Sequence, residues 1–300
     1  MHVFVTGATG LIGTALVHAL LRRGDFVTAL SRSPDAPRRL PPGVRHLQGE
    51  PAAPGRWEEE LARTDACVHL AGEPIAAGRW TAERRRRIRE SRVEGTRRVA
   101  EGIRGGGPSV LVSGSAVGLY GDRGDEELDD SAPAGKGFLA ETCREWEAAA
   151  EPARARARVV ALRSGIVLAR GGGALPRLAL PFKLFVGGPI GRGDFWQPWI
   201  HLADEIGLIL FALDTAAVQG PLNAAAPAPV RNRDLARALG KVLHRPALLP
   251  VPPLAVRLAL GEVASAVLAS QRVVPRKALE LGYRFRFAEV EPALRELLGR

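Results

Sequence analysis

Gly7, Gly10 and Gly13 separate two stretches of very different character. Before them, His2 to Thr6 is a short β-rich run. After them, Leu11 to Leu21 repeats apolar residues at helical spacing until Arg22-Arg23-Gly24 ends the helix, and Phe26 to Leu30 reads as a second strand. A chain that must turn from strand to helix through Gly7-Ala-Thr-Gly10-Leu-Ile-Gly13 has few folds open to it. Gly7 permits the tight exit from the strand, Gly10 lets backbone approach a ligand closely, and Gly13 lets the helix pack against the sheet.

Strand, glycine turn, helix and strand in that order form the context that makes this motif the mark of a Rossmann-type dinucleotide-binding unit. The pyrophosphate of a nicotinamide cofactor is expected on the free N–H groups of the turn and the helix start, from Gly7 through Thr9, Gly10, Leu11 and Ile12 to Gly13. The end of the second strand selects the cofactor. An acidic residue there would bind a ribose 2′-hydroxyl and repel a 2′-phosphate, whereas this chain has Leu30-Ser31-Arg32. Ser31 and Arg32 therefore favour NADP(H), unless Arg32 simply faces solvent.

Further strands are expected at Val44 to Leu47, Ala66 to Leu70, Ser109 to Val112 and Arg158 to Leu162, with helices near Trp57 to Arg63, Thr81 to Ile103 and Phe138 to Ala153. This alternation predicts an α/β fold with a doubly wound parallel sheet over residues 1–165. Residues 166–300 are richer in glycine loops, with helices at Ala203 to Leu213, Asn232 to Leu243, Leu254 to Leu268 and Val290 to Leu298. They are read as a smaller C-terminal substrate lobe, part of which returns to the core sheet.

The two cysteines, Cys67 and Cys143, form no CxxC and no disulfide framework, which fits a reducing compartment. Neither a signal peptide nor a membrane span is expected, and the chain reads as cytoplasmic. The net charge of +10 raises the question of nucleic acid, but the arginines are spread along the chain. The one run, Arg84 to Arg87, alternates with Glu83, Glu90 and Glu94 at helical spacing and reads as a solvated helix face. No His, Cys, Asp and Glu cluster has metal-ligand spacing.

Several later segments narrow the fold to a family. They are His69-Leu-Ala-Gly72-Glu-Pro-Ile, Gly78-Arg-Trp-Thr, Ser91-Arg92, Ser113-Gly-Ser-Ala-Val-Gly-Leu-Tyr-Gly121, Phe138-Leu-Ala-Glu, Leu162-Arg-Ser-Gly-Ile-Val-Leu, Gln197-Pro-Trp-Ile-His201, Asn223-Ala-Ala-Ala-Pro227 and Gly282-Tyr-Arg-Phe. As a set, and over essentially the whole chain, they resemble the atypical epimerase-family subgroup of the extended short-chain dehydrogenases/reductases, described as nucleoside-diphosphate-sugar epimerase-like. The resemblance implies a small-molecule substrate, with a sugar nucleotide as one class, in a monomer or homodimer. It also implies a serine after the fifth strand and a Tyr-x-x-x-Lys pair on the next helix. Ser115 matches the serine, but the helix reads Phe138-Leu-Ala-Glu-Thr-Cys-Arg-Glu-Trp-Glu147 and supplies no such pair; Lys136 precedes it.

Tyr120 and Glu141 are candidates for a substitute acid or base in place of that pair, the alternatives being a packed tyrosine and a surface carboxylate. Leu70, Ala71 and Gly72 are expected to lie along the cofactor by their backbone. Glu73 either reaches a ribose or carboxamide or faces solvent, and His69 reads as structural. Arg192, Phe195, Trp196, Gln197, Trp199 and His201 either wall a sugar-like ligand or anchor their loop, with His201 a hydrogen-bonded core histidine. The expected function is an NADP(H)-dependent oxidoreductase or epimerase-like enzyme acting on a carbonyl, a carbinol or a sugar nucleotide, with Ser115 holding the substrate oxygen. The alternative is a non-catalytic, NADP(H)-responsive protein.

Overall fold

The computed structural model describes residues 1–299. Seven strands make the central sheet: β1 (His2–Thr6), β2 (Phe26–Ser31), β3 (Arg45–Gln48), β4 (Ala66–His69), β5 (Val110–Ala116), β6 (Arg158–Ser164) and β7 (Gly220–Ala224). Their order is β7-β6-β5-β4-β1-β2-β3, and all six pairings are parallel. From β1 the chain first winds outward through β2 and β3, then crosses back to β4 on the other side. The crevice beyond the ends of β1 and β4 is therefore the place where an α/β sheet of this order receives a ligand.

The faces of the sheet follow from alternation along each strand. Val3 and Val5 of β1 point to one layer, where Leu16, Val17 and Leu20 of α1 (Leu11–Arg22) and Ile206, Ile209 and Leu213 of a later helix close the core. Phe4 points the opposite way, onto α2 (Trp57–Leu61) and α3 (Ala82–Gly105), through Trp57, Leu61, Val99 and Ile103. Both faces are covered, as a wholly parallel sheet requires.

Helix boundaries depart from the periodicity where local chemistry intervenes. Thr81 caps α3, its hydroxyl accepting from the Arg84 N–H at 3.2 Å. The helix expected to run to Ala153 stops as α4 (Phe138–Ala149), because Pro152 has no N–H to continue it, and a 3₁₀ turn, Glu151–Ala155, follows. β5 runs on past Val112 to Ala116 and so carries Ser115 within the strand.

Beyond β6 come α5 (Leu175–Lys183), α6 (Leu202–Asp214), α7 (Asn232–Leu243), α8 (Pro253–Leu260), α9 (Ala264–Leu268), α10 (Arg276–Glu280) and α11 (Val290–Leu298). The single helix expected from Leu254 to Leu268 is divided by Gly261, whose φ of +59° breaks the helical path. α6 and β7 belong to the main sheet and its cover. α5, α7 and α11 pack together around Trp199, Leu235, Leu239 and Leu294 as a second core. The tail is fastened by Asp204, whose carboxylate accepts from the Arg286 and Phe287 N–H groups at 2.7 and 2.9 Å.

Candidate active site

The glycine turn is built as its spacing requires. Gly7 has a φ of +69°, and a Cβ there would lie 2.8–2.9 Å from the Leu70 and Ala71 backbone. At Gly13 a Cβ would collide with the Gly7 carbonyl oxygen, so α1 can approach the strand only with glycine there. The Gly10 N–H closes the turn on the Gly7 oxygen at 3.0 Å, and Gly10 caps α1 with no side-chain acceptor and no acidic residue in the first turn. The positive end of α1 is thus free of any competing carboxylate of its own, which suits a bound diphosphate.

Across the turn, the segment from Leu70 to Gly72 is pinned by Thr6. Its hydroxyl oxygen accepts from the Leu70 and Ala71 N–H groups at 3.2 and 3.1 Å and lies 2.7 Å from Nδ1 of His69. With its lone pairs so used, Thr6 donates to Nδ1, and the His69 proton sits on Nε2. Burial lowers the His69 pKa to about 4, so the ring is neutral at physiological pH and holds the strand end in place. Glu73 turns toward Arg84, 3.7 Å away, while its N–H donates to Ser91 Oγ at 3.0 Å. Its carboxylate is engaged with that arginine, as neither reading of Glu73 anticipated.

At the end of β2, Ser31 Oγ lies 2.9 Å from His46 Nε2. Arg32 is 66% exposed and 3.7 Å from Glu50. Arg39, which the sequence reading passed over, donates from Nη2 to the Thr9 carbonyl at 3.0 Å and brings a second guanidinium over the glycine turn. It sits on a 3₁₀ turn, Ala36–Arg39, which carries no period that would have marked it.

The relay candidates fare differently. Ser115 lies at the end of β5 and donates to Glu147 Oε1 at 2.6 Å; Arg163 grips that carboxylate with Nε at 2.8 Å and Nη2 at 2.9 Å. Because the Ser115 proton is committed to Glu147, toward a ligand the hydroxyl is an acceptor. Tyr120, a candidate proton donor, is enclosed, as the packed alternative has it. Its side chain is 0% exposed, and its hydroxyl donates to Asn223 Oδ1 at 2.6 Å and accepts from Arg163 Nη1 at 2.9 Å. Burial outweighs the lowering effect of Arg163 and Asn223 and pushes its pKa up to about 12. Glu141 is exposed on the outer side of α4, and Lys136 is exposed before it. On the inner side, Leu139 packs against Gly118 and Cys143 is buried.

The side chains of the aromatic segment are largely engaged within the protein, as the loop-anchoring alternative has it. Gln197 is buried and accepts from Asn232 Nδ2 at 2.9 Å, Trp199 lies in the second core, and Trp196 is covered by the Arg231 and Arg272 guanidinium groups. Arg192 pairs with Asp194 in solvent. His201 caps α6 and stacks on Phe287 at 3.9 Å, with Glu296 3.0 Å from Nε2. Within the arginine run, Arg84 and Arg85 tie down the Pro74 carbonyl and Glu262, while Arg86 and Arg87 pair along the helix with Glu90 and Glu83. Among the described residues, no group of three or more His, Cys, Asp or Glu could hold a metal, and no helix is long and apolar enough to cross a membrane.

Fold and site together define a Rossmann-type dinucleotide-binding protein of the short-chain dehydrogenase/reductase kind. The family model described as the NAD dependent epimerase/dehydratase family matches residues 3–225, and a model described as a domain of unknown function (DUF1731) matches residues 251–297. The chain belongs to the NAD dependent epimerase/dehydratase family. It is 40% identical over 302 residues to an Arabidopsis thaliana protein called "Epimerase family protein SDR39U1 homolog, chloroplastic", covering 99% of this chain and 87% of that one. The crystal structure of human epimerase family protein SDR39U1 (isoform 2) with NADPH is similar, with a TM-score of 0.88, 37% identity and 99% of each chain covered. MoeE5 in complex with UDP-glucuronic acid and NAD shares the fold, with a TM-score of 0.79 at 22% identity and 98% and 96% coverage.

Proposed function

We propose that the protein binds NADP(H) across the β1–β4 crevice and passes hydride between it and a carbonyl or carbinol carbon. The observation that carries this reading is the glycine cradle. Gly7 and Gly13 leave no room for a Cβ, and the start of α1 presents unopposed N–H groups. The residues fit the group. Thr9 to Gly13 would take the diphosphate, Ser31, Arg32 and Arg39 the adenosine 2′-phosphate, and Leu70 to Gly72 the nicotinamide half along the backbone. The bound cofactor supplies the hydride. Ser115, with its proton held by Glu147, would accept a hydrogen bond from a substrate hydroxyl and so orient a carbinol. The NADPH in the human relative supports the choice of cofactor.

A second reading rests on α4, which has neither tyrosine nor lysine, and on the enclosure of Tyr120. It is an NADP(H)-responsive protein that binds without turnover. Free, buried Cys67 and Cys143 support a reducing compartment such as the cytoplasm. The test has two stages. Dissociation constants should favour NADPH over NADH by at least about tenfold, and Arg32→Ala should remove most of that preference. NADPH oxidation is then followed over a carbonyl panel that includes UDP-sugar ketones. No turnover, with NADPH still bound, selects the second reading, and equal affinity for the two cofactors sinks the 2′-phosphate assignment.

A further inference from the structure

Arg92 is a cation beside the crevice that the proposed function leaves unused. It enters from α3 and is half-buried, and its Cζ lies 3.3 Å from where a Cβ on Gly72 would be. Nη1 is spent on the Glu73 and Ile88 carbonyls at 2.9 and 3.1 Å. The guanidinium rests on the Trp146 ring of α4, 5.0 Å from its centroid, and Trp146 is itself fixed by Thr96 at 2.8 Å. Among the described residues, no acceptor meets Nε or Nη2 and no carboxylate forms an ion pair with Arg92. Glu73, the nearest acidic neighbour along the strand end, pairs with Arg84 instead. Nε and Nη2 thus keep three N–H donors that the protein does not use and that the acceptors of a ligand can take.

Topology says which part of a ligand comes there. The diphosphate lies at α1, and the adenosine end runs toward β2, where Ser31 and Arg32 stand. The other half of a dinucleotide must then run toward β4 and β5, over Gly72 and up to Ser115. On the basis of the NADP(H) reading, we infer that Arg92 holds the two adjacent hydroxyls of the nicotinamide ribose, with Nε and Nη2 forming the fork. A planar pair of donors matches two neighbouring oxygens, and a guanidinium keeps its protons at neutral pH. Arg92 therefore positions the cofactor and is not the missing acid. It works from α3, leaving α4 free to carry Leu139 and Cys143.

The test is binding, by calorimetry, of three ligands to the whole protein. NADPH and 2′-phospho-ADP-ribose both contain the second ribose; 2′-phosphoadenosine 5′-diphosphate has both phosphates and lacks it. Arg92→Ala should weaken the first two by about tenfold or more and leave the third within about twofold, which also shows that the fold is intact. Arg92→Lys should fall between. Equal losses for all three would make the role phosphate binding or structural and overturn the inference, as would no loss at all. Loss for NADPH alone would place the contact on the carboxamide and overturn it too. If the unmodified protein fails to bind NADPH, the cofactor reading itself falls and takes this one with it.

Discussion

Replacing Tyr120 by phenylalanine separates a proton donor from a structural strut. In the folded protein the phenol oxygen meets Asn223 Oδ1 at 2.6 Å, the Asp129 carbonyl at 3.0 Å and the Arg163 Nη1 donor at 2.9 Å. Removing it strands the Asn223 oxygen, which is fully buried. Arg163 loses less, because its Nη1 still donates to the Asp130 carbonyl at 3.0 Å and its other nitrogens still hold Glu147. One stranded acceptor costs about 1–3 kcal/mol, and the ring itself still fills its site, so the change should destabilise the fold by about 2 kcal/mol. For a chain of this size that is a fall in Tm of about 3 °C. Urea unfolding followed by tryptophan fluorescence measures it, alongside NADPH affinity and any turnover found. The expected result is a less stable protein with unchanged NADPH affinity and turnover within about threefold of the parent. A variant as stable as the parent to within about 0.5 kcal/mol, but with turnover lost, would refute the structural assignment and return Tyr120 to the chemistry.

Other perturbations probe neighbouring parts of the same frame. Glu147→Gln removes the charge facing Arg163, whose side chain is 8% exposed, and should cost about 2–4 kcal/mol in urea titrations, whereas Glu147→Leu combined with Arg163→Met should cost less than the sum of the single changes. Gly13→Ala drives a methyl into the Gly7 carbonyl and should abolish NADPH binding; calorimetry showing parental affinity would contradict the cradle. Glu205 is fully buried beside Ser164, and burial raises its pKa to about 7 from an ordinary 4.5. A raised acid favours the folded state while protonated, so its contribution is intact below about pH 4.5 and is lost as pH rises through 7, by about 3 kcal/mol at most. Glu205→Gln should therefore gain on the parent as pH climbs from 4.5 to 7 and hold that gain above it; a constant difference across pH would exclude the titration.

What could be read in advance was whatever local spacing specifies. The turn from Gly7 to Gly13 needs only the contacts of a strand with the helix that follows it, and the parallel order follows from the alternation of strands and helices. The family segments were legible as a set, but their jobs were not, because each job is a meeting of residues far apart in the chain. Asn223 looked like a bare motif. In the fold its N–H donates to Asp130 Oδ1 at 2.6 Å, and its side chain reaches Tyr120 and the Val274 carbonyl, so it clasps β7 to the loop after β5 and to the C-terminal segment. That clasp is why Tyr120 is enclosed. It depends on β7 pairing with β6 across the sheet edge, a register that no run of residues near Tyr120 encodes. The same reasoning accounts for Arg92. On α3 it is one arginine among many at helical spacing, and only the packing of α3 against α4 sets it on Trp146 and over Gly72. Partners from one helical turn or one strand ending were visible early; partners joined by the closing of the sheet were not. The arrangement around Ser115 and Arg163 rests on the second kind, which is why the cofactor cradle could be inferred from thirteen residues and the partners of Ser115 and Tyr120 could not.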